Sequence, residues 1–252
     1  MKNFYIYGRN TITEAIKSEK NIEKIYIAYG TKPDFVSYIY SLAKKYKIPC
    51  STIDKGKFAE LEKSQFPQGT KTQGVIALIS NARTLSLDEL FEKSRQQTNP
   101  IVIALDEIND PHNLGAIARA AECANVIGIV LTERNSAPLS PAAFKTSAGA
   151  LEHLPVAKSS SLVQAITEAK KNGFWVYGTD SKADKIYSEE DFNRPVFLII
   201  GSEGKGLRDS TKKHCDVLIK IPLLGKISSL NASVATGIIL FEILRQRNFK
   251  VE

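Results

Sequence analysis

The stretch Ile221-Pro-Leu-Leu-Gly-Lys-Ile-Ser-Ser-Leu-Asn-Ala-Ser-Val-Ala-Thr-Gly-Ile-Ile-Leu-Phe-Glu-Ile-Leu-Arg-Gln-Arg247 divides into two halves with different demands. Pro222 cannot donate to a strand ladder and Gly225 admits a tight turn, so a strand running into Ile221 stops there. From Val234 to Leu244 the residues are apolar on almost every side, unlike a helix that faces solvent. Such a helix must be covered on several faces, by its own domain and by a second subunit. Ser228 and Ser229 stand where its N-cap is expected. The polar trio Ser229, Asn231 and Ser233 then has two readings. It caps a helix in the ordinary way, or it holds a ligand against free N–H groups and the positive end of the helix dipole.

A helix buried in this way needs a sheet to pack on, and the preceding sequence supplies one. Ile101–Leu105, Ile127–Leu131, Phe174–Tyr177, Val196–Ile200 and Val217–Ile221 are short runs rich in β-branched and apolar residues, alternating with helical patterns. Continuous apolar strands separated by helices predict an α/β fold, a parallel sheet with helices on both faces. One intervening helix has both ends marked: Ser161 and Gln164 fit a capping box, and Gly173 stands just past the end. Residues 1–80 read as a smaller α/β domain. Its strands are Phe4–Tyr7, Lys24–Ala28, Ile48–Ile53 and Val75–Ser80, with helices starting near Asn10 and at Pro33 and another at Phe58–Lys63. Asn81–Asn99 loses periodicity apart from a short helix at Leu87–Glu92, so 81–99 is expected to be a linker and 100–252 the second domain.

With 252 residues, 43% hydrophobic and 24% charged, the chain is globular in composition, which excludes disordered and collagen-like classes. No apolar run approaches the ~20 residues of a membrane span, and the N-terminus lacks the apolar core of a signal peptide, so a cytoplasmic location is expected. Cys50, Cys123 and Cys215 are odd in number and far apart, which argues against a disulfide framework or a zinc site and for buried thiols. His112, His153 and His214 lack metal-ligand spacing, so no metal is expected. Residues 1–80 carry 13 Lys and Arg against 7 Asp and Glu, whereas residues 97–252 carry 18 against 17. A basic first domain joined to a balanced second one suits a polyanionic partner, and the absence of a basic amphipathic helix favours nucleic acid over membrane.

Ligands of open α/β sheets gather beyond the carboxyl ends of the strands. After the first strand of the second domain, the helix near Pro111 buries Leu114, Ile117, Ala118 and Ala121. Arg119 then points about 150° from the centre of that stripe, outward among the small residues Gly115, Ala116 and Cys123. It is either a solvated arginine or one that meets another chain or a phosphate. After the fourth strand, Gly201-Ser-Glu203-Gly-Lys-Gly206 allows a tight backbone turn, but Glu203 occupies the second glycine position of GxGxxG.

Taken together, Asn113-Leu-Gly-Ala-Ile-Ala-Arg119, Gly201-Ser-Glu203-Gly-Lys-Gly206 and Ile221-Pro-Leu-Leu-Gly-Lys-Ile-Ser-Ser229-Leu-Asn231-Ala-Ser233 resemble the three motifs of the SpoU branch of the SPOUT RNA methyltransferases. The likeness covers residues 100–247. The first domain, with Tyr5-Ile-Tyr-Gly8-Arg-Asn and Gln73-Gly74-Val75, is similar to the ribosomal-protein-like RNA-binding domain of the subgroup that modifies a guanosine of 23S ribosomal RNA. The resemblance implies transfer of a methyl group from S-adenosylmethionine to a ribose 2′-hydroxyl, a deep trefoil knot in the C-terminal domain, and a homodimer. Carried onto this sequence, it puts Gly201, Ile221 and Leu230 on the cofactor, with Thr179 a further candidate. Arg119 is then set at the chemistry with Asn113, Glu203, Ser229 and Asn231 around it. Arg119 acts either as a general base or as a stabiliser of the alkoxide and phosphate; a guanidinium with a pKa above about 12 favours the second role. Leu223 and Ala232 replace a methionine and a valine often seen in relatives, and Thr72 stands where they often carry histidine. The rival readings are the same chemistry on transfer RNA, and a non-catalytic RNA-binding protein of ribosome assembly.

Overall fold

The computed structural model describes residues 5–17, 22–79 and 84–247. Phe4, Ser80 and residues 81–83 of the expected strands and linker lie outside them. The chain divides into two compact units, Met1–Ala82 with Pro138–Pro141, and Arg83–Ala137 with Ala142–Glu252.

The first unit runs β1 (Tyr5–Tyr7), α1 (Arg9–Lys17), β2 (Ile22–Ala28), α2 (Pro33–Lys45), β3 (Cys50–Ile53), α3 (Lys55–Gln65) and β4 (Val75–Ile79). Its sheet has the order β1-β4-β2-β3, with β4 antiparallel to β1 and β2, and β2 parallel to β3. Ile12, Ala15 and Ile16 of α1 and Ile39 and Ala43 of α2 recur at helical spacing and are buried against Ile25, Ile27, Val75 and Ala77 of the sheet. Pro33 starts α2, where its missing N–H costs nothing, and the Asp54 side chain accepts from Lys57 N to start α3.

The second unit begins with β5 (Thr84–Leu85) and α4 (Leu87–Ser94). The expected linker is therefore not a linker over these residues. β5 pairs with the second sheet, and Leu87, Leu90 and Phe91 belong to its core. Ser86 and Glu89 close a reciprocal capping box that starts α4. There follow β6 (Ile101–Asp106), α5 (Pro111–Cys123), β7 (Gly128–Thr132), α6 (Pro141–Thr146), α7 (Ala150–His153), β8 (Val156–Ser159) and α8 (Leu162–Lys171). The chain ends with β9 (Trp175–Thr179), β10 (Lys185–Ile186), β11 (Val196–Gly201), α9 (Asp209–Lys212), β12 (Val217–Lys220) and α10 (Ala232–Gln246).

Eight strands form one sheet in the order β10-β12-β9-β11-β6-β7-β8-β5, and every pairing is parallel. Val102 and Ala104 of β6 and Phe197 and Ile199 of β11 share a core with α4 and α8. Alternate residues of the same strands, Ile103, Leu198 and Ile200, face the other way and are equally buried, so both faces are covered. On that second face α10 packs against α5 and β11.

Local chemistry modifies two expectations and bears out a third. Ser161 accepts from Gln164 N as a cap, but Gln164 Oε1 takes its hydrogen bonds from Ser160 and Ser159, so the capping box is only half made. Gly173 does stand past the end of α8 with φ +81°. The thiols differ: Cys50 and Cys215 are half-buried, and burial raises each pKa to about 12, whereas Cys123 is exposed. Among the described residues no helix is long and apolar enough to cross a membrane.

Candidate active site

The parallel order brings the carboxyl ends of β9, β11, β6 and β12 side by side. Thr179 pairs with Ile219, and Gly201 with Asp106. Strand order reverses around β6, which gives the crevice where parallel sheets bind ligands. Residues 222–230 leave β12 at this edge. Among the described residues they make no backbone–backbone hydrogen bond, so the C=O groups and the N–H groups after Pro222 have no backbone partner there. Ile221 and Leu230 bracket this loop and are half-buried, while Leu224 (101% exposed) and Ile227 project from it.

Helix α10 does not start at Ser228 or Ser229, as its sequence leads one to expect. Its N-cap is Asn231, whose Oδ1 accepts from Ser233 N at 2.9 Å and Val234 N at 3.4 Å. Asn caps as well as Ser, and the Asn231 side chain has a second use that a hydroxyl could not serve. Its Nδ2 donates to Asn113 Oδ1 at 2.9 Å and, over a very short contact, to Glu203 Oε1. Asn113 Nδ2 also donates to Glu203 Oε1, at 3.2 Å, and Ala232 N does so at 3.3 Å. A carboxylate at the N-terminus of α10 thus gathers three donors, which suits the positive end of the helix. Residues 113, 203 and 231, from three distant segments, form one hydrogen-bonded cluster.

Among the described residues, the other candidates make no hydrogen bond to this cluster. Glu203 does not pair with Arg119. Arg119 is exposed and makes no hydrogen bond or ion pair among the described residues. It lies six positions beyond Asn113 on α5, roughly 9 Å along the axis and about 120° around it. Of the small residues expected beside it, Gly115 is buried: a Cβ there would meet Ala143 O at 2.5 Å, so Gly115 lets α6 approach α5. Ser229 is exposed and makes no hydrogen bond among the described residues. The Thr179 hydroxyl is already engaged, donating to Ile199 O at 3.1 Å and accepting from Gly201 N at 3.4 Å, so it ties β9 to β11. Gly201 is required by its own loop: a Cβ would lie 2.4 Å from Gly206 C, where the turn closes through Gly206 N to Ser202 O at 2.9 Å.

One anchoring pair is not evident from the sequence. Asp106 ends β6 fully buried, and its carboxylate accepts from Arg208 Nε at 2.7 Å and Arg208 N at 3.0 Å. A buried carboxylate held by both backbone and guanidinium pins the return of the 201–207 turn. Its only signal is an acid closing an apolar strand. Nearby, burial acts to raise the Asp180 pKa, but hydrogen bonds from Lys212, 2.7 Å away, and the Lys182 amide outweigh it and hold the carboxyl below its usual range. Among the described residues no group of His, Cys, Asp or Glu could hold a metal ion.

The chain has known relatives. The SpoU rRNA methylase family description matches residues 100–241, and that of RNA 2′-O ribose methyltransferase substrate binding matches residues 5–85. YacO of Bacillus subtilis (strain 168), assigned to the TrmH family of tRNA/rRNA methyltransferases, is 38% identical over 245 residues, covering 97% of this chain and 96% of that one. The 23S rRNA (guanosine-2′-O-)-methyltransferase RlmB of Pseudomonas putida is 34% identical over 249 residues, 97% of each. The SpoU methyltransferase AviRb from Streptomyces viridochromogenes, solved in complex with AdoMet, shares the fold. Its TM-score is 0.61 at 22% identity, covering 98% of this chain and 91% of that one.

Proposed function

The chain belongs to the SpoU family of RNA 2′-O-ribose methyltransferases, and from that premise we propose that it methylates a guanosine ribose of 23S ribosomal RNA with S-adenosylmethionine as donor. The observation that carries the reading is the Asn113–Glu203–Asn231 cluster, which joins the three motif segments at the carboxyl edge of the sheet. The RNA target is supported by the likeness to RlmB along almost the whole of both chains and by the basic first unit. Transfer RNA is the alternative that the likeness to YacO keeps open.

The residues present fit this donor. The loop 222–230 offers backbone donors and acceptors between the half-buried Ile221 and Leu230, a setting for a ligand with both polar edges and an apolar ring. Gly201 adds the turn beside them, and Thr179 acts by fixing the strand ends. The chemistry the group supplies is an electrophilic methyl carried on a sulfonium sulfur. The chain's task is in-line placement of the ribose hydroxyl and stabilisation of the charge that grows on its oxygen.

Glu203, Asn113 and Asn231 fix the mouth of α10 and orient one another. Ser229, exposed at the same entrance, is available to the ribose or its phosphate. Arg119 stabilises the developing alkoxide and orients the phosphate, because a guanidinium donates and does not accept. It stands apart from its own chain's cluster, which favours service to a partner subunit's site in a homodimer. Val234 (49% exposed) and Phe241 (54%) on α10 supply the apolar surface for that dimer. A trefoil knot belongs to the same reading, as membership of the family implies.

The test of substrate class is transfer of labelled methyl groups to unmodified 23S rRNA and, separately, to unmodified tRNA. The reading expects label on the 23S rRNA; label on tRNA alone would overturn the target. Arg119→Ala is expected to keep S-adenosylmethionine binding in calorimetry and to lose methyl transfer. Loss of both would contradict this division of roles.

A further inference from the structure

In the first unit, β1, β2 and β3 run in one direction and β4 against them, so the residues after Tyr7, Ala28 and Ile53 and those before Val75 share one end of the sheet. Their contacts join them. Arg9 N donates to Gln73 Oε1 at 2.9 Å, Ala28 N to Gly74 O at 3.0 Å, and Thr31 Oγ1 to Gly74 O at 3.3 Å. A Cβ on Gly30 would lie 3.4 Å from Lys55 Cε.

This end displays Tyr29, 69% exposed and without an aromatic partner among the described residues, and Tyr7, 41% exposed, whose ring is held edge-on by Phe66 at 4.8 Å. Around them Lys32, Lys55 and Lys71 are exposed and make no ion pair among the described residues. Their positions do not serve the fold. Lys32 is the N-cap residue of α2 and caps no amide, and Lys55 opens α3; at both places the helix dipole disfavours a cation. Several other described lysines of the unit have local explanations. Lys17 pairs with Glu14 at 3.4 Å, Lys24 lies over the Tyr26 ring at 5.2 Å, and Lys44 and Lys45 sit in the last turn of α2, where the dipole favours them.

We propose that this sheet end docks an unpaired stretch of the RNA substrate, with a base stacked on Tyr29 and the flanking phosphates on Lys32, Lys55 and Lys71. The proposal rests on the reading of the chain as an RNA methyltransferase and adds where, and in what form, the RNA is held. An exposed ring stacks on a base only when that base is unstacked from its neighbours, which a paired helix does not allow. The lysines, by contrast, bind phosphate in either form.

The experiment uses the full chain, a fluorescein-labelled RNA hairpin with an unpaired loop, and the blunt duplex of the same stem, read by anisotropy. Wild type is expected to bind the hairpin more tightly than the duplex. Tyr29→Ala should weaken hairpin binding about tenfold and leave duplex binding unchanged, and Tyr29→Phe should restore it. Lys32→Gln combined with Lys55→Gln should weaken both RNAs and lower the salt slope by about 2. S-adenosylmethionine binding, followed in every variant, reports an intact second unit, and circular dichroism of Tyr29→Ala reports an intact first. Unchanged hairpin binding by Tyr29→Ala, or equal losses for hairpin and duplex, would overturn the proposal while leaving the methyltransferase reading standing. Failure of wild type to bind either RNA while binding the cofactor would overturn the RNA-substrate reading itself.

Discussion

Replacing Asn231 with Asp separates the two jobs of its side chain. Asp caps a helix as well as Asn, so the hydrogen bonds to Ser233 N and Val234 N survive. The Nδ2 donor is lost, and a second carboxylate faces Glu203 Oε1 within hydrogen-bonding reach, beside Asn113. Two unit charges at about 3 Å repel by about 1.4 kcal/mol in water and about 5.5 kcal/mol at an effective dielectric of 20. Both side chains are exposed, so the lower part of that range applies, about 2 kcal/mol, a fall of roughly 4–8 °C in Tm for a unit of this size. Protonation of either carboxyl relieves the repulsion and restores a donor. The folded variant therefore holds a proton more tightly than the unfolded chain does, and its deficit grows as pH rises through the carboxylate range. Asn231→Ala removes the cap as well and adds no charge; it should cost about 1–2 kcal/mol with little dependence on pH. Thermal melts of the three proteins at about pH 4 and about pH 7 make the comparison. If Asn231→Asp melts with wild type at neutral pH, the cluster is not what holds the mouth of α10.

Gly201→Ala forces a Cβ into the backbone of Gly206 and Leu207, at 2.4 and 2.6 Å, which cannot yield as a side chain tip would. It should lose at least about 2 kcal/mol in urea unfolding and abolish S-adenosylmethionine binding in calorimetry. Arg247, half-buried, donates to the carbonyls of Asn99, Phe192 and Arg194 at 2.6–3.1 Å and ties the end of α10 to the segments before β6 and β11. Arg247→Ala strands those acceptors and should cost about 2–4 kcal/mol, read as a lower Tm. Phe241→Glu places a charge on the exposed apolar face of α10. If the proposed homodimer forms through this face, sedimentation should show dimers for wild type and monomers for the variant, and the proposed service of Arg119 to a partner's site predicts loss of methyl transfer.

Much of this architecture is legible in the chain because burial on both faces of a parallel sheet imposes continuous apolar runs, as in Ile101–Leu105 and Val196–Ile200. Val156-Ala-Lys-Ser159 escapes that signal: it is a short strand near one side of the sheet, with two apolar residues and a lysine. Thr84–Leu85 is shorter still, and only pairing with β8 makes it a strand. The start of α10 is misjudged from Ser228 and Ser229 because cap propensity ranks Asn and Ser alike. Partners 28 and 118 residues away in sequence, Glu203 and Asn113, decide for Asn231. The same distance hides the Asp106–Arg208 pair, 102 residues apart. In the sequence only likeness to a family groups Asn113, Glu203 and Asn231, since no local spacing links them.

The most direct test of the central claim is to incubate the protein with methyl-labelled S-adenosylmethionine and unmodified 23S rRNA, then hydrolyse the product in alkali. A methylated 2′-oxygen cannot attack its own phosphate, so the account predicts the label in an alkali-resistant dinucleotide with guanosine at its 5′ position. Label released in mononucleotides would mean methylation of a base, and would contradict the assignment of this site to the ribose hydroxyl.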